Sequence, residues 1–244
     1  MGLGDDLIAT SIARKAFTKT GKLVMIGDGI TLEKSPVFEN NPILSPVISP
    51  TAVWARVGLM CRPYIDYTKT DSQHQAYNYS FRVEPGEIHL LPEELDFSQR
   101  DFILIEPNVK GSYGGNKDWG FDKWQRLVDE LPECNFVQCG HGRILRGVEV
   151  VPVRSFRHAC GLLSHARLFV GTDGGLHHAA AAVGTGAVVV WGGLAPPAVL
   201  GYEGHINLCH AKEWCGSTKK CGHCSAALAK VSVDEVRAAI LGHH

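Results

Sequence analysis

The chain has 244 residues, 45% of them apolar, with 24 Lys+Arg against 25 Asp+Glu. That is the composition of an ordinary soluble globular protein, and a formal charge of −1 argues against a general polyanion binder while leaving room for a local basic groove. The longest apolar stretch, Ala179–Trp191, is too short and too rich in Gly and Ala to span a bilayer, and no charged leader precedes an apolar segment, so a cytoplasmic protein is expected.

Leu7, Ile8, Ile12 and Phe17 share one face of a predicted helix over Leu7–Thr18. Lys22–Ile26 reads as a short strand stopped by Gly27-Asp28-Gly29. Four prolines between Pro36 and Pro50 predict irregular chain. Trp54–Cys61 fits a strand or a helix, Thr68–Tyr79 a loop or an exposed helix, and Pro92–Asp96 a linker or capped turn. Beyond it the pattern becomes regular. Strands are predicted at Phe102–Ile105, Asn135–Cys139, Val148–Val153, Leu168–Val170 and Ala187–Trp191. Helices are predicted at Phe121–Glu130, Phe156–Ser164, His178–Val183 and Val233–Leu241. Strands alternating with helices imply a mostly parallel sheet that binds ligands beyond the C-terminal strand ends. The expected division is residues 1–97 as a small N-terminal lobe and 98–244 as a doubly wound lobe.

One turn stands out. Between Val170 and His178 lies Gly171-Thr172-Asp173-Gly174-Gly175-Leu176-His177. Free amides at a helix N-terminus point outward and the helix dipole adds positive character, so an anion such as a pyrophosphate fits there. Two successive glycines let the backbone approach it closely. A plain tight turn is the competing reading.

Phe169–Ala181, with Val188–Gly193 after it, resembles the Asp-x-Gly-x-x-His turn, small-residue helix and following strand of glycosyltransferase family 9, the heptosyltransferase-like enzymes. Lys117-Asp118-Trp119-Gly120 is similar to that family's Lys-x-Trp segment. Gly2-Leu3-Gly4-Asp5-Asp6 looks like its glycine-Asp loop, and the tail of cysteines before Val231–Val236 looks like its cysteine-containing end. The resemblance covers most of 98–244 and about the first 20 residues, and matches 30–97 poorly.

The resemblance implies a GT-B fold of two Rossmann-like lobes with mostly parallel sheets. It implies an inverting single displacement of a sugar from a nucleoside diphosphate, ADP-heptose above all, with no cofactor required for catalysis. Asp5 matches the base that takes the acceptor hydroxyl proton; Asp6 is its neighbour and rival, and either could instead cap the helix. Lys117 matches the cation that neutralises the departing diphosphate. Asp173 would bind sugar hydroxyls or orient the loop. His178, with His177 as a weaker neighbour, would donate to phosphate. Thr172, Gly174, Gly175 and Leu176 complete the donor loop. Glu106, Asn108, Ser112 and Tyr113 lie where base, ribose or phosphate would pass.

Cys209, Cys215, Cys221 and Cys224 crowd into 16 positions, with His210 and His223 nearby. Four sulfur ligands would suit a closed structural Zn or Fe site, and some protein-glycosylating relatives hold a cysteine-bound iron. Free structural thiols and disulfides are the alternatives.

Against that family, the strand before the glycine-Asp loop is expected to be missing or truncated and the N-terminal lobe reduced. Such a lobe suits a large acceptor: a glycan, a protein or a nucleic acid base. Two other readings remain: a non-catalytic nucleotide- or metal-binding remnant, and a nucleotide-sugar epimerase, which the Lys-x-Trp segment and the Asp5 loop oppose.

Overall fold

The computed structural model describes residues 2–111 and 114–243. Helix α1 (Leu3–Thr20) leads into a two-stranded parallel sheet of β1 (Val24–Gly27) and β2 (Val53–Arg56). Gly21 ends α1 in the left-handed region at φ 66°, its N–H donating to Phe17 O, as a C-terminal glycine does. Residues 57–101 carry no strand beyond isolated bridges.

The larger unit holds β3 (Ile103–Glu106), α2 (Phe121–Asp129), β4 (Phe136–Cys139), β5 (Glu149–Val151), α3 (Phe156–His165), β6 (Leu168–Thr172), α4 (Gly175–Val183), β7 (Ala187–Trp191), the single turn α5 (Pro197–Leu200), β8 (His205–Cys209), α6 (Gly222–Lys230) and α7 (Val233–Leu241). Its six strands are parallel, in the order β5-β4-β3-β6-β7-β8. The chain winds outward from β3 in one direction and from β6 in the other, so the switch point lies between them.

Side chains alternate across this sheet with period two. Leu104, Phe169, Val189 and Trp191 enter one apolar cluster, and Ile103, Ile105, Val170 and Val188 enter the other. Burial on both faces explains why these strands read as unbroken apolar runs. The first cluster also contains Leu7 and Ile8 of α1, packed toward Ala179 and Ala180 of α4. The N-terminal helix therefore shares its core with the large sheet. Arg157, with its side chain only 4% exposed, fastens the connecting segment: it bonds both Glu94 carboxylate oxygens at 2.6 and 2.7 Å, Pro36 O at 2.9 Å and His89 O at 2.6 Å.

The predicted elements are present, with several differences. Helix α1 starts at Leu3, earlier than the predicted Leu7, and the single turn α5 was not expected. Trp54–Cys61 resolves as strand only to Arg56. Helix α4 starts at Gly175, not His178, so half of the glycine turn is the helix's first turn. β8 and α6 went unforeseen. The His-Ile-Asn-Leu-Cys alternation of β8 is a weak signal, and α6 overlaps the cysteine cluster, whose spacing reads as a ligand set and carries no helical period.

Candidate functional site

A cavity of about 520 Å³ opens at the switch point. Its walls come from the ends of β3 and β6, the start of α4, the start of α1 and the loop at Gly216–Thr218. The first turns of α1 and α4 meet there. A Cβ added to Gly4 would lie 2.6 Å from a His178 ring carbon and 3.5 Å from Gly175 Cα, so this approach needs glycine at position 4. The N-terminus of α4 has no side-chain cap, leaving its first-turn amides beside Gly174, Gly175 and Leu176 on the cavity wall.

Asp5 is the third residue of α1, not part of a loop before it. Its Oδ2 accepts the Gly2 N–H at 3.1 Å and lies 3.3 Å from Arg62 Nε; Gly2, the N-cap, has no side chain with which to return a bond. Its Oδ1 accepts the Tyr64 hydroxyl. The capping role and the exposed-carboxylate role thus fall on one residue. Burial holds the Tyr64 hydroxyl well above the usual tyrosine range, so it serves as donor. Asp6 points into the protein, 5% exposed, and burial lifts its carboxyl to about 6 despite a hydrogen bond with Ser35. Asp6 does not line the cavity.

Lys117 and Asp173, far apart in sequence, form an ion pair with Nζ 2.6 Å from Oδ2. Both line the cavity, as do Thr172 and His178. His178 Nδ1 lies 2.8 Å from the Tyr202 hydroxyl. With that hydroxyl as donor, Nε2 carries the ring proton. Burial lowers His178 to about 4, so the ring is neutral near pH 7.

His177 corrects the expectation of donor contact. It is fully buried beneath the turn and does not line the cavity. One residue earlier on the helix, it turns into the core, packing against Trp191, Tyr202 and His205 at centroid distances of 5.3, 5.1 and 5.4 Å. Neither ring nitrogen has a hydrogen-bond partner among the described residues, and burial pushes the ring well below the usual histidine range.

Asn108 lines the cavity, but its side chain is already engaged. Its amide donates to Glu106 Oε1, His141 O and Arg143 O at 2.8–3.0 Å and its oxygen accepts the Arg143 N–H at 2.9 Å. It fixes the 141–143 loop more than it offers groups to a ligand. Burial raises Glu106 to about 7 against the hydrogen bonds from Asn108. Ser112 and Tyr113 lie outside the described residues.

Three thiols converge. Cys215 Sγ is 3.3 Å from Cys224 Sγ and 3.6 Å from Cys221 Sγ. Cys209 is not with them: at the end of β8, its sulfur lies 3.8 Å from Gly192 O. The four-thiolate expectation is thus corrected to a triad, because β8 carries Cys209 along the sheet edge. His210 bonds Glu235 at 2.7 Å and His223 lies 3.0 Å from Glu213 O, so both side chains are engaged elsewhere.

Sequence reasoning missed Arg62, Tyr64 and Tyr202. Arg62-Pro63-Tyr64 sits in an irregular stretch where no periodicity aims a side chain. Tyr202 follows a single helical turn, and neither place carries a motif.

The model of glycosyltransferase family 9 (heptosyltransferase) matches residues 17–227. No curated protein matches the chain. Among solved structures, the iron-containing dodecameric glycosyltransferase TibC from enterotoxigenic E. coli H10407 is similar over 100% of this chain and 74% of its own, with 15% identity and a TM-score of 0.65. The family 9 glycosyl transferase from Veillonella parvula DSM 2008 is similar over 85% and 82%, with 10% identity and a TM-score of 0.58. E. coli heptosyltransferase WaaC with ADP-2-deoxy-2-fluoro heptose matches 63% of this chain at 16% identity and a TM-score of 0.47, and this chain spans 46% of that one. The family model covers most of the chain: it belongs to glycosyltransferase family 9.

Proposed function

We propose that the protein is an inverting glycosyltransferase of GT-B type with a reduced N-terminal lobe, 1–97, and a donor lobe, 98–244. It moves a sugar, heptose from an ADP-linked donor, to an acceptor hydroxyl. One observation carries this reading: a carboxylate, an ion-paired lysine and an uncapped helix N-terminus face a single cavity of about 520 Å³. That volume suits a nucleotide-sized ligand. Family membership supports it.

In this reading the diphosphate sits on the amides of Gly174, Gly175 and Leu176, with His178 as a neutral donor. Thr172 and Asp173 meet the sugar hydroxyls. Asp5 takes the acceptor proton as the new bond forms at the anomeric carbon. The bond to the diphosphate oxygen breaks on the opposite side, and Lys117 meets the charge that develops there. Lys117 begins paired with Asp173, which aims its ammonium and cancels the carboxylate that would repel a diphosphate. Tyr64 and Arg62 hold the Asp5 carboxylate in place. The acceptor hydroxyl must then compete with Tyr64 for Oδ1, and that competition favours the non-catalytic remnant.

Cys215, Cys221 and Cys224 fit a thiolate metal site. Their short sulfur–sulfur separations are near the roughly 3.8 Å expected around a tetrahedral ion with metal–sulfur bonds of about 2.3 Å. Three thiolates would leave the fourth position of a tetrahedral Zn or Fe to another ligand, and TibC is described as iron-containing. Elemental analysis returning less than stoichiometric metal rejects this. Reduced thiols suit a cytoplasmic setting. No helix among the described residues is long and apolar enough to cross a membrane. The acceptor is a glycan, a protein or a nucleic acid base.

Calorimetry with ADP-, UDP- and GDP-linked sugars on wild type and His178→Ala tests the donor site. The reading expects the ADP-linked donor to bind best and the variant to weaken it about tenfold. Equal affinity in both proteins for every donor contradicts it.

A further inference from the structure

The cysteine triad and the donor lysine are joined through one buried side chain, Asn116. It immediately precedes Lys117, is 1% exposed, and uses its whole amide. Nδ2 donates to Ser217 O at 3.0 Å and to Lys219 O at 2.7 Å, and Oδ1 accepts the Cys221 N–H at 2.9 Å. Two carbonyls and one amide of the cysteine segment are thereby satisfied by the residue beside the lysine.

The same segment is held on two further sides. Cys215 N–H donates to Gly193 O at 2.8 Å and Gly216 N–H to Leu194 O at 3.0 Å, tying it to the chain leaving β7. Gln75 N–H donates to Gly216 O at 2.8 Å and Thr218 N–H to Gln73 O at 2.8 Å, tying it to the N-terminal part. Gly216, Ser217 and Thr218 then form cavity wall. Asn116 itself ends a tight turn, Gly114–Asn116, with Lys117 N–H on Gly114 O at 2.8 Å. Its carbonyl lies 2.7 Å from where a Cβ on Gly192 would stand. Asn116 is held by these bonds and by its close approach to Gly192, so a shift of the cysteine segment moves Asn116 and with it the root of the Lys117 side chain, whose tip is 2.6 Å from Asp173.

We propose that Asn116 is a positioning residue that couples the cysteine triad to Lys117, so that disturbing the triad segment weakens nucleoside diphosphate binding through the lysine. This rests on the reading of Lys117 as a diphosphate contact. A buried amide that only satisfied nearby carbonyls would affect the fold, not the lysine in particular. A double-mutant cycle separates the two.

ADP is titrated by calorimetry into wild type, Lys117→Ala, Asn116→Ser and the double variant. Asn116→Ser is expected to weaken ADP about tenfold in the wild-type background and less than about twofold when Lys117 is already gone. Cys215→Ala, in both backgrounds, gives the same pattern and carries the test if Asn116→Ser does not fold. Unchanged affinity in Asn116→Ser and Cys215→Ala, or losses that multiply with that of Lys117→Ala, overturn the coupling while the donor reading stands. Unchanged affinity in Lys117→Ala overturns both.

Discussion

Two helix N-termini meet at the cavity, both with a glycine N-cap and no side-chain cap, and they differ in the charge of their first turns. Helix α1 carries its own carboxylate there: Asp5 accepts the Gly2 N–H and its other oxygen takes the Tyr64 hydroxyl. Helix α4 has no acidic residue in its first turn. Both termini carry the same partial positive charge. At α1 that charge faces a resident carboxylate. At α4 it is left for something that arrives. In the proposed function, the contrast separates a base from an anion site using one element type twice, a few ångströms apart.

The contrast breaks most completely at Asp5. Asp5→Asn keeps an oxygen to cap α1 but no longer takes a proton. Transfer is expected to fall by about 10²–10⁴-fold while ADP affinity stays within about twofold of wild type. A product assay beside calorimetry measures both. Undiminished turnover removes Asp5 from the chemistry and leaves it a cap.

The smallest effect sharpens the contrast at the open end. Glu106 sits on β3 in the wall of the same cavity, and an ionised carboxylate there opposes a diphosphate. Burial raises it from 4.5 to about 7. In that interval the folded state binds more protons than the unfolded one, so stability falls as pH rises from about 4.5 to about 7 and stays low above it. Glu106→Gln, which keeps an acceptor for Asn108, is expected to gain on the order of 1–2 kcal/mol over wild type at pH 8 and nothing at pH 4. Denaturant melts at the two pH values check this, and an equal change at both contradicts it.

The donor side was legible because its chemistry follows regular structure. A parallel sheet buried on both faces announces its strands as apolar runs, and each run delivers its next residues to the same edge. Asp173, directly after β6, and Lys117, in the loop after β3, were readable from position together with the family resemblance. Their ion pair was not, since it depends on the β3-to-α2 and β6-to-α4 loops folding toward each other. His177 and His178 are adjacent in sequence, yet one helical step sends the first into the core and the second to the cavity. Arg62 and Tyr64 were invisible because an irregular segment has no period to point its side chains. Cys209 was grouped with the other cysteines by spacing, which cannot show that β8 carries it away.

The central claim is that the open terminus binds a diphosphate-linked sugar for transfer. Its most direct test is to incubate the wild-type protein with ADP-, UDP- and GDP-linked sugars and detect hydrolysed or transferred sugar by mass. The account predicts turnover of the ADP-linked donor ahead of the others. Neither binding nor turnover of any nucleotide sugar contradicts it.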